Sequence, residues 1–397
     1  MIEVTPAQRR ARLGWRHRLA AEALAASPVE VARDLVALHG TDPSSVYLAA
    51  WARMRDGDVA AAVHRALYEE RSLIRLMAMR RTVFVTSLDV APVLQAACSR
   101  AVAARERRKL ESMLAAVGVA EDVEGVRRWL DETEQIALRA LRDRGEATAS
   151  ELATDDPRLG VEVVIGGAGN QGRQHVASRM LLLLAAEGKV VRGRPRGSWT
   201  SHQHTWSPLE RWTPGGLAEW DTAQAEVELG RRWLTAFGPG AEQDLAWWAG
   251  WSKTQVRRVL AALGAVAVDL GDGSSGYLLP EDLEPAPEPQ PWAALLPALD
   301  STPMGWRQRD WFLGEHGPYL FDGFGNIGPS LWWNGEIVGG WAHDRDGEIV
   351  VRFLRDVGSE AVTAAQAQAE LLAGRLGGVR LTARTRGKTW LEQELSG

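Results

Sequence analysis

His39 and Thr41, two polar side chains one residue apart, are the groups of this chain best placed to hold a reactive water. They stand in Leu38-His39-Gly40-Thr41-Asp42-Pro43, which reads as a tight corner between two helices. The two polar groups would be fixed at a rigid junction of packed elements, where a small water-positioning site can be built. A structural reading of the same residues stands beside it, with His39 a satisfied half-buried histidine and Thr41-Asp42 capping groups.

The flanking residues explain the corner. Ser27-Pro28-Val29-Glu30 is a capping box with Pro at the first helical position. Apolar residues recur at Val31, Ala32, Leu35, Val36 and Leu38, the spacing of one buried helix face, and place His39 near that face. Gly40 is expected to supply the left-handed conformation that ends the helix. Asp42-Pro43 then reads as N-cap and first residue of the next helix, through Val46, Tyr47, Ala50, Trp51 and Met54.

Composition bounds the rest. A chain of 397 residues is expected to hold two to four domains. The single cysteine, Cys98, excludes an internal disulfide framework and fits a reducing cytoplasm. No apolar signal segment opens the chain, and the longest apolar run, Met180 to Ala186, is far too short to span a bilayer. A cytoplasmic protein with no membrane partner is expected. The net charge of -5 argues mildly against nucleic acid, but residues 1–110 carry 18 Lys and Arg against 11 Asp and Glu, so the first quarter is basic. Eighteen tryptophans against four tyrosines predict mostly core use.

Along the chain, a helix over 5–20 is followed by the two helices of the corner and a fourth from Asp58 to Glu69. Strands over 72–79 and 82–85, joined at Arg80-Arg81, close a winged helix-turn-helix whose hairpin tip carries two arginines. The pattern returns twice. A helix from Thr133 to Arg144, a short helix to Leu152, and a helix from Gln174 to Glu187 precede Lys189-Val190-Val191-Arg192 and the basic turn Arg194-Pro195-Arg196-Gly197. A third unit has helices over 223–237, 242–249 and 252–263 and a hairpin over 265–279 around Gly271-Asp272-Gly273. A stiff linker rich in proline and acid covers 280–291. The remainder reads as β-rich, with strands at 319–321, 330–333, 336–342, 348–353 and 379–383, an Asn334-Gly335 hairpin turn and a helix at 363–372. The expected fold is α+β: three tandem winged helices over 1–120, 121–215 and 216–284, then a β-barrel-like domain over 285–397.

Gly167-Ala168-Gly169-Asn170-Gln171-Gly172 matches the dinucleotide fingerprint G-x-G-x-x-G after the strand-like Val161–Ile165. Nothing around it alternates as βαβ, and no acidic residue closes the second strand at Val191. A loop entering a helix is the plainer reading. No His/Cys cluster has metal-ligand spacing, since the side chains of His202-Gln203-His204 alternate across a strand. No metal and no cofactor are implied.

Several stretches together resemble the winged-helix bacterial DNA glycosylases of the AlkZ and YcaQ type. They are Arg33–Pro43 with Leu48-Ala49-Ala50-Trp51-Ala52-Arg53; Met79–Val85; Phe237-Gly238-Pro239 with Asp244–Gly250; Leu296-Pro297-Ala298-Leu299-Asp300; and Gly328–Trp341. The likeness covers nearly the whole chain. It implies tandem winged helices before a barrel, and duplex DNA carrying alkylated purines as the partner of a monomer. It also implies cleavage of the bond between base and sugar, in repair or in self-resistance to a genotoxin. The family signature is Gln-Φ-Gln or Gln-Φ-Asp with Φ apolar; the matching positions here are His39-Gly40-Thr41, which keep the register and the outer polarity but change the chemistry. On that basis a neutral His39 would accept a proton from water, Thr41 would hold the water, and Asp42 would orient His39 or stabilise the sugar cation. Arg80 and Arg81 are expected phosphate contacts, with Lys189, Arg194 and Arg196 behind them; solvated surface charge is the alternative for each. A non-catalytic winged-helix regulator and a dinucleotide-dependent enzyme are the competing functions.

Overall fold

Local signals set where the helices begin, and a run of apolar residues sets where one of them stops. The computed structural model describes residues 2–55, 57–166, 171–271, 273–381 and 387–397. The fold is mixed α+β, with small sheets of two to four strands among the helices. Contacts divide the chain into two units: Met1–Leu73 with Val85–Ser87 and Glu226–Gly397, and Ile74–Phe84 with Leu88–Ala225. Among the described residues no helix is long and apolar enough to cross a membrane.

In the first unit the helix Pro28–Asp34 starts at the Ser27 cap, as expected, but stops four residues before Leu38. Leu35, Val36, Ala37 and Leu38 are all buried, at 0, 1, 2 and 1% exposure. Four consecutive side chains cannot share one helix face, so the backbone leaves the helix and crosses the core extended. Val36, not Gly40, takes the left-handed conformation, with φ 63°. That is a costly geometry for a β-branched residue, and Thr86 Oγ1 steadies it by donating to the Val36 carbonyl at 2.7 Å. His39 therefore sits on a short strand, Leu38–His39, beside the strand that ends at Ser87.

The helix Pro43–Trp51 follows, and all nine of its residues are buried. In the C-terminal part Ala293–Leu296, Ser330–Trp333, Glu336–His343 and Ile349–Phe353 form an antiparallel meander in that order. The turn Asn334-Gly335 has the two positive φ values, 46° and 84°, that this hairpin type requires. The helix Gly358–Leu376 covers the sheet with Ala361, Ala365, Ala369 and Leu372, buried residues at helical spacing. Residues 319–321, expected as a strand, are instead the end of a short helix, Gly317–Leu320, and Phe321. Of the strand expected at 379–383, 379–381 is irregular and 382–383 lies outside the described residues. The segment 280–291 is no free spacer, because Arg12 binds Asp282 and the Glu284 carbonyl and Trp15 Nε1 donates to the Pro287 carbonyl.

The second unit is built around the helix Val176–Ala186, nine of whose eleven residues are buried. It packs against Arg100–Ala116, Val123–Arg144 and Ala149–Asp155, with the hairpin Val190–Pro195/His204–Pro208 alongside. Residues Gly167 to Asn170 of the glycine-rich motif lie outside the described residues, but its flanks settle its context. Glu162–Ile165 pairs antiparallel with Gly172–His175. A strand paired with the strand on the far side of the motif is not the strand-and-helix context in which a dinucleotide pyrophosphate rests.

Candidate functional site

The corner is assembled by hydrogen bonds that cost its polar groups little freedom. Asp42 is 7% exposed, and its Oδ2 accepts from Ser44 Oγ at 2.6 Å, Ser45 N at 3.1 Å and Ser45 Oγ at 2.7 Å. It is the helix cap the sequence predicts, with Pro43 at the first helical position. His39 is half-buried and Thr41 exposed. The three nominated residues do come together, Asp42 beneath the surface and Thr41 open to solvent.

A second segment clamps this corner from both sides. Ser45 Oγ shares its single proton between Asp42 Oδ2 and the Ala298 carbonyl, each at 2.7 Å, and Ser301 Oγ donates to the Ala37 carbonyl at 2.8 Å. Between them lies Asp300, held bidentately by Arg53 at 2.9 and 2.7 Å with both side chains fully buried. The remaining donors of Arg53 reach the carbonyls of His17 and Ala49 and the hydroxyl of Thr302. Thr302 in turn meets His17 Nδ1 at 2.7 Å, while His17 Nε2 meets the Ala236 carbonyl at 3.0 Å. The carbonyl can only accept, so Nε2 carries the proton and the Thr302 hydroxyl donates to Nδ1. Burial, with the Arg53 charge adding to it, pushes the His17 pKa down to about 3 and keeps the ring neutral. A shallow pocket of ≈ 70 Å³ opens beside the corner, lined by Asp42, Ser44, Leu48, Ala298, Trp341 and His343 among others.

The sequence singled out Asp300 and Arg53 only through family likeness, and it missed His17 and Thr302. No spacing rule connects Arg53 to a carboxylate 247 positions away. A similar case is Asp244, fully buried, whose carboxylate accepts from Ala241 N, Arg307 N and Gln308 N and ties the helix Glu242–Ala249 to the loop after Trp306. Burial raises its pKa in spite of those three backbone donors.

The nominated basic residues lie in the second unit. Arg80 and Arg81 form the turn between the strands Leu73–Met77 and Val83–Ser87, both at positive φ. Burial lowers the pKa of Arg80, and Arg81 pairs with Glu106 at 3.0 Å. Lys189 binds Glu134 and Glu187, and Arg196 binds Glu151. Arg194 is exposed. Arg192 was not nominated. It lies over the Trp206 ring at 5.3 Å, and burial, then the neighbouring Arg75 charge, lowers its pKa to about 10. Among the described residues no group of three or more His, Cys, Asp or Glu is placed to hold a metal.

No curated protein matches the chain by sequence. Among solved structures it is similar to the Streptomyces sahachiroi DNA glycosylase AlkZ, with a TM-score of 0.70 and 20% identity over 96% of this chain and 100% of that one. That likeness shows a shared fold. A family model described as DNA glycosylase AlkZ-like matches residues 32–375, which takes in the corner, its clamp and both units, and the chain belongs to the AlkZ-like DNA glycosylase family.

Proposed function

We propose that this glycosylase hydrolyses the N-glycosidic bond of N7-alkylated purines in duplex DNA, bulky or crosslinked adducts included, with His39 and Thr41 holding the attacking water. The observation that carries the reading is the division of labour at the corner. Asp42 is committed to the helix that follows, while the half-buried His39 and the exposed Thr41 precede it in the register of the family signature. A purine alkylated at N7 is cationic and leaves readily, so the protein needs little acid catalysis. Water adds to C1′ of the sugar as the base departs with the bond's electron pair, and neutral His39 takes the water's proton. The buried Asp42 carboxylate favours the positive charge that develops on the sugar. No lysine occurs between Leu35 and Met54, so water rather than an amine is the nucleophile and the enzyme is monofunctional. Tandem winged helices would supply the contacts to phosphate from Arg80, Arg81, Lys189, Arg194 and Arg196, with Arg81, Lys189 and Arg196 first released from their carboxylates.

The replacement of the family's glutamine by histidine favours a second reading, a DNA-binding protein without chemistry. Base release from duplex DNA containing 7-methylguanine separates the two when wild type and His39→Ala are compared at equal DNA occupancy. Release that drops by two orders of magnitude or more in the variant is expected. Bound DNA with no release by the wild type, from methylated and crosslinked substrates alike, would leave only the second reading.

A further inference from the structure

Phe324 is 80% exposed, the most exposed of the large hydrophobic side chains described. It stands at the tip of Asp322-Gly323-Phe324-Gly325-Asn326, between two glycines that offer it no side-chain cover. A lone exposed apolar residue is ordinary on a protein surface. This one differs in how firmly it is held out. Asp322 Oδ1 accepts from Phe324 N at 2.8 Å and Asn326 N at 2.9 Å, and Asp322 Oδ2 accepts from Asn326 Nδ2 at 3.0 Å. The backbone adds Asp322 N to the Asn326 carbonyl and Gly325 N to the Asp322 carbonyl, and Phe321 bridges Ile327 at the base. The turn is preorganised with its aromatic ring in solvent, so presenting the ring to a partner loses little conformational entropy.

The turn is also hitched to the candidate active site. Leu299 N donates to the Ile327 carbonyl at 3.1 Å, and the flanking Ala298 and Ser301 are the residues that grip Ser45 and Ala37 on either side of His39–Thr41. Two more exposed aromatics, Tyr319 and Trp390, pack edge to face at 5.2 Å in the same part of the chain. Lys388, next to Gly387 against Asp322, adds a cation. An exposed ring on a rigid turn, with a cation nearby and in a protein of a DNA-acting family, fits insertion into a base stack.

We propose that Phe324 is a wedge that enters the base stack of duplex DNA beside the lesion and unstacks the nucleotide to be cleaved. The proposal rests on the corner being the site of base removal. The test uses the full chain and a duplex with 2-aminopurine next to a tetrahydrofuran abasic site, which cannot be cleaved as a glycosidic bond. Wild type and Phe324→Tyr should raise the 2-aminopurine fluorescence several-fold. Phe324→Ala should lose that rise and bind roughly five- to a hundred-fold more weakly, the range for losing one aromatic stacking partner. Its melting temperature should match wild type, because the turn's hydrogen bonds use Asp322 and the backbone. No rise with wild type, or an equal rise and equal affinity with Phe324→Ala, would overturn the wedge. A wild-type rise lost in Phe324→Ala, without base release from 7-methylguanine, would keep the wedge and sink the glycosidic reading instead.

Discussion

Replacing Asp300 with alanine should damage this protein out of proportion to one side chain. Both partners of the Arg53–Asp300 pair are fully buried, so no solvent screening softens the loss. The variant strands a guanidinium that keeps Thr302 and two carbonyls but loses both charge-assisted bonds, and it also removes the acceptor of Thr302 N at 2.9 Å. Breaking one side of such a pair costs about 3–5 kcal/mol. Removing both charges is different. Arg53→Met with Asp300→Leu leaves no stranded ion, and it should recover most of the loss, to within about 1–2 kcal/mol of wild type. Urea denaturation followed by tryptophan fluorescence gives the three stabilities. Base release at equal folded fraction then reports the corner, since Ala298 and Ser301 grip it from either side of Asp300. The double variant should be stable yet slower than wild type, because the loop is no longer pinned to Arg53. A single variant that loses less than about 1 kcal/mol would refute the reasoning, as would a double variant as unstable as the single.

His17 predicts an acid limit. Its folded pKa of about 3 lies below the unfolded value near 6.5, so below pH 6.5 the unfolded chain binds the extra proton. Stability contributed by neutral His17 is complete above pH 6.5 and falls by about 1.4 kcal/mol per pH unit as the pH drops towards 3. His17→Gln should be less stable at pH 7.5 and show a shallower acid slope in the same denaturation series. Asp42→Asn keeps a side-chain acceptor for the helix start, whereas Asp42→Ala loses the cap and about 1–2 kcal/mol. Slow base release by a stable Asp42→Asn would show that the charge matters beyond the cap. Arg194→Ala should lower the slope of log affinity against log salt by about 0.9.

What the sequence disclosed and what it hid follow one physical division. The Ser27 and Asp42 caps with the helices after them, and the Asn334-Gly335 turn, were legible because each depends on residues within four positions. Leu35–Leu38 was misread because a short apolar run suits a buried helix turn and a buried extended crossing equally, and only tertiary burial on every side decides between them. Residues 319–321 carry aromatic β-formers but are claimed by a helix whose Tyr319 packs on Trp390. At the candidate site, His39, Thr41 and Asp42 could be nominated together because they are neighbours in sequence. His17, Arg53 and the turn Asp300-Ser301-Thr302 come from three distant segments, and no local pattern joins the three. The basic turns were visible, but not the glutamates that occupy Arg81, Lys189 and Arg196.

The helix Pro6–Arg16 binds partners about 270 positions further along, and Ile2–Glu3 pairs with Val268–Asp269. On a ribosome adding roughly 5–20 residues per second, this helix must wait on the order of half a minute for its contacts. The continuous stretch Leu88–Ala225 can meanwhile complete most of its own core, since every helix that packs there has already emerged. Synthesis thus imposes an order: the inserted unit matures first and the outer one closes last. Any arrest before residue 300 would leave the His39 corner without Ser301, which grips it in the finished chain.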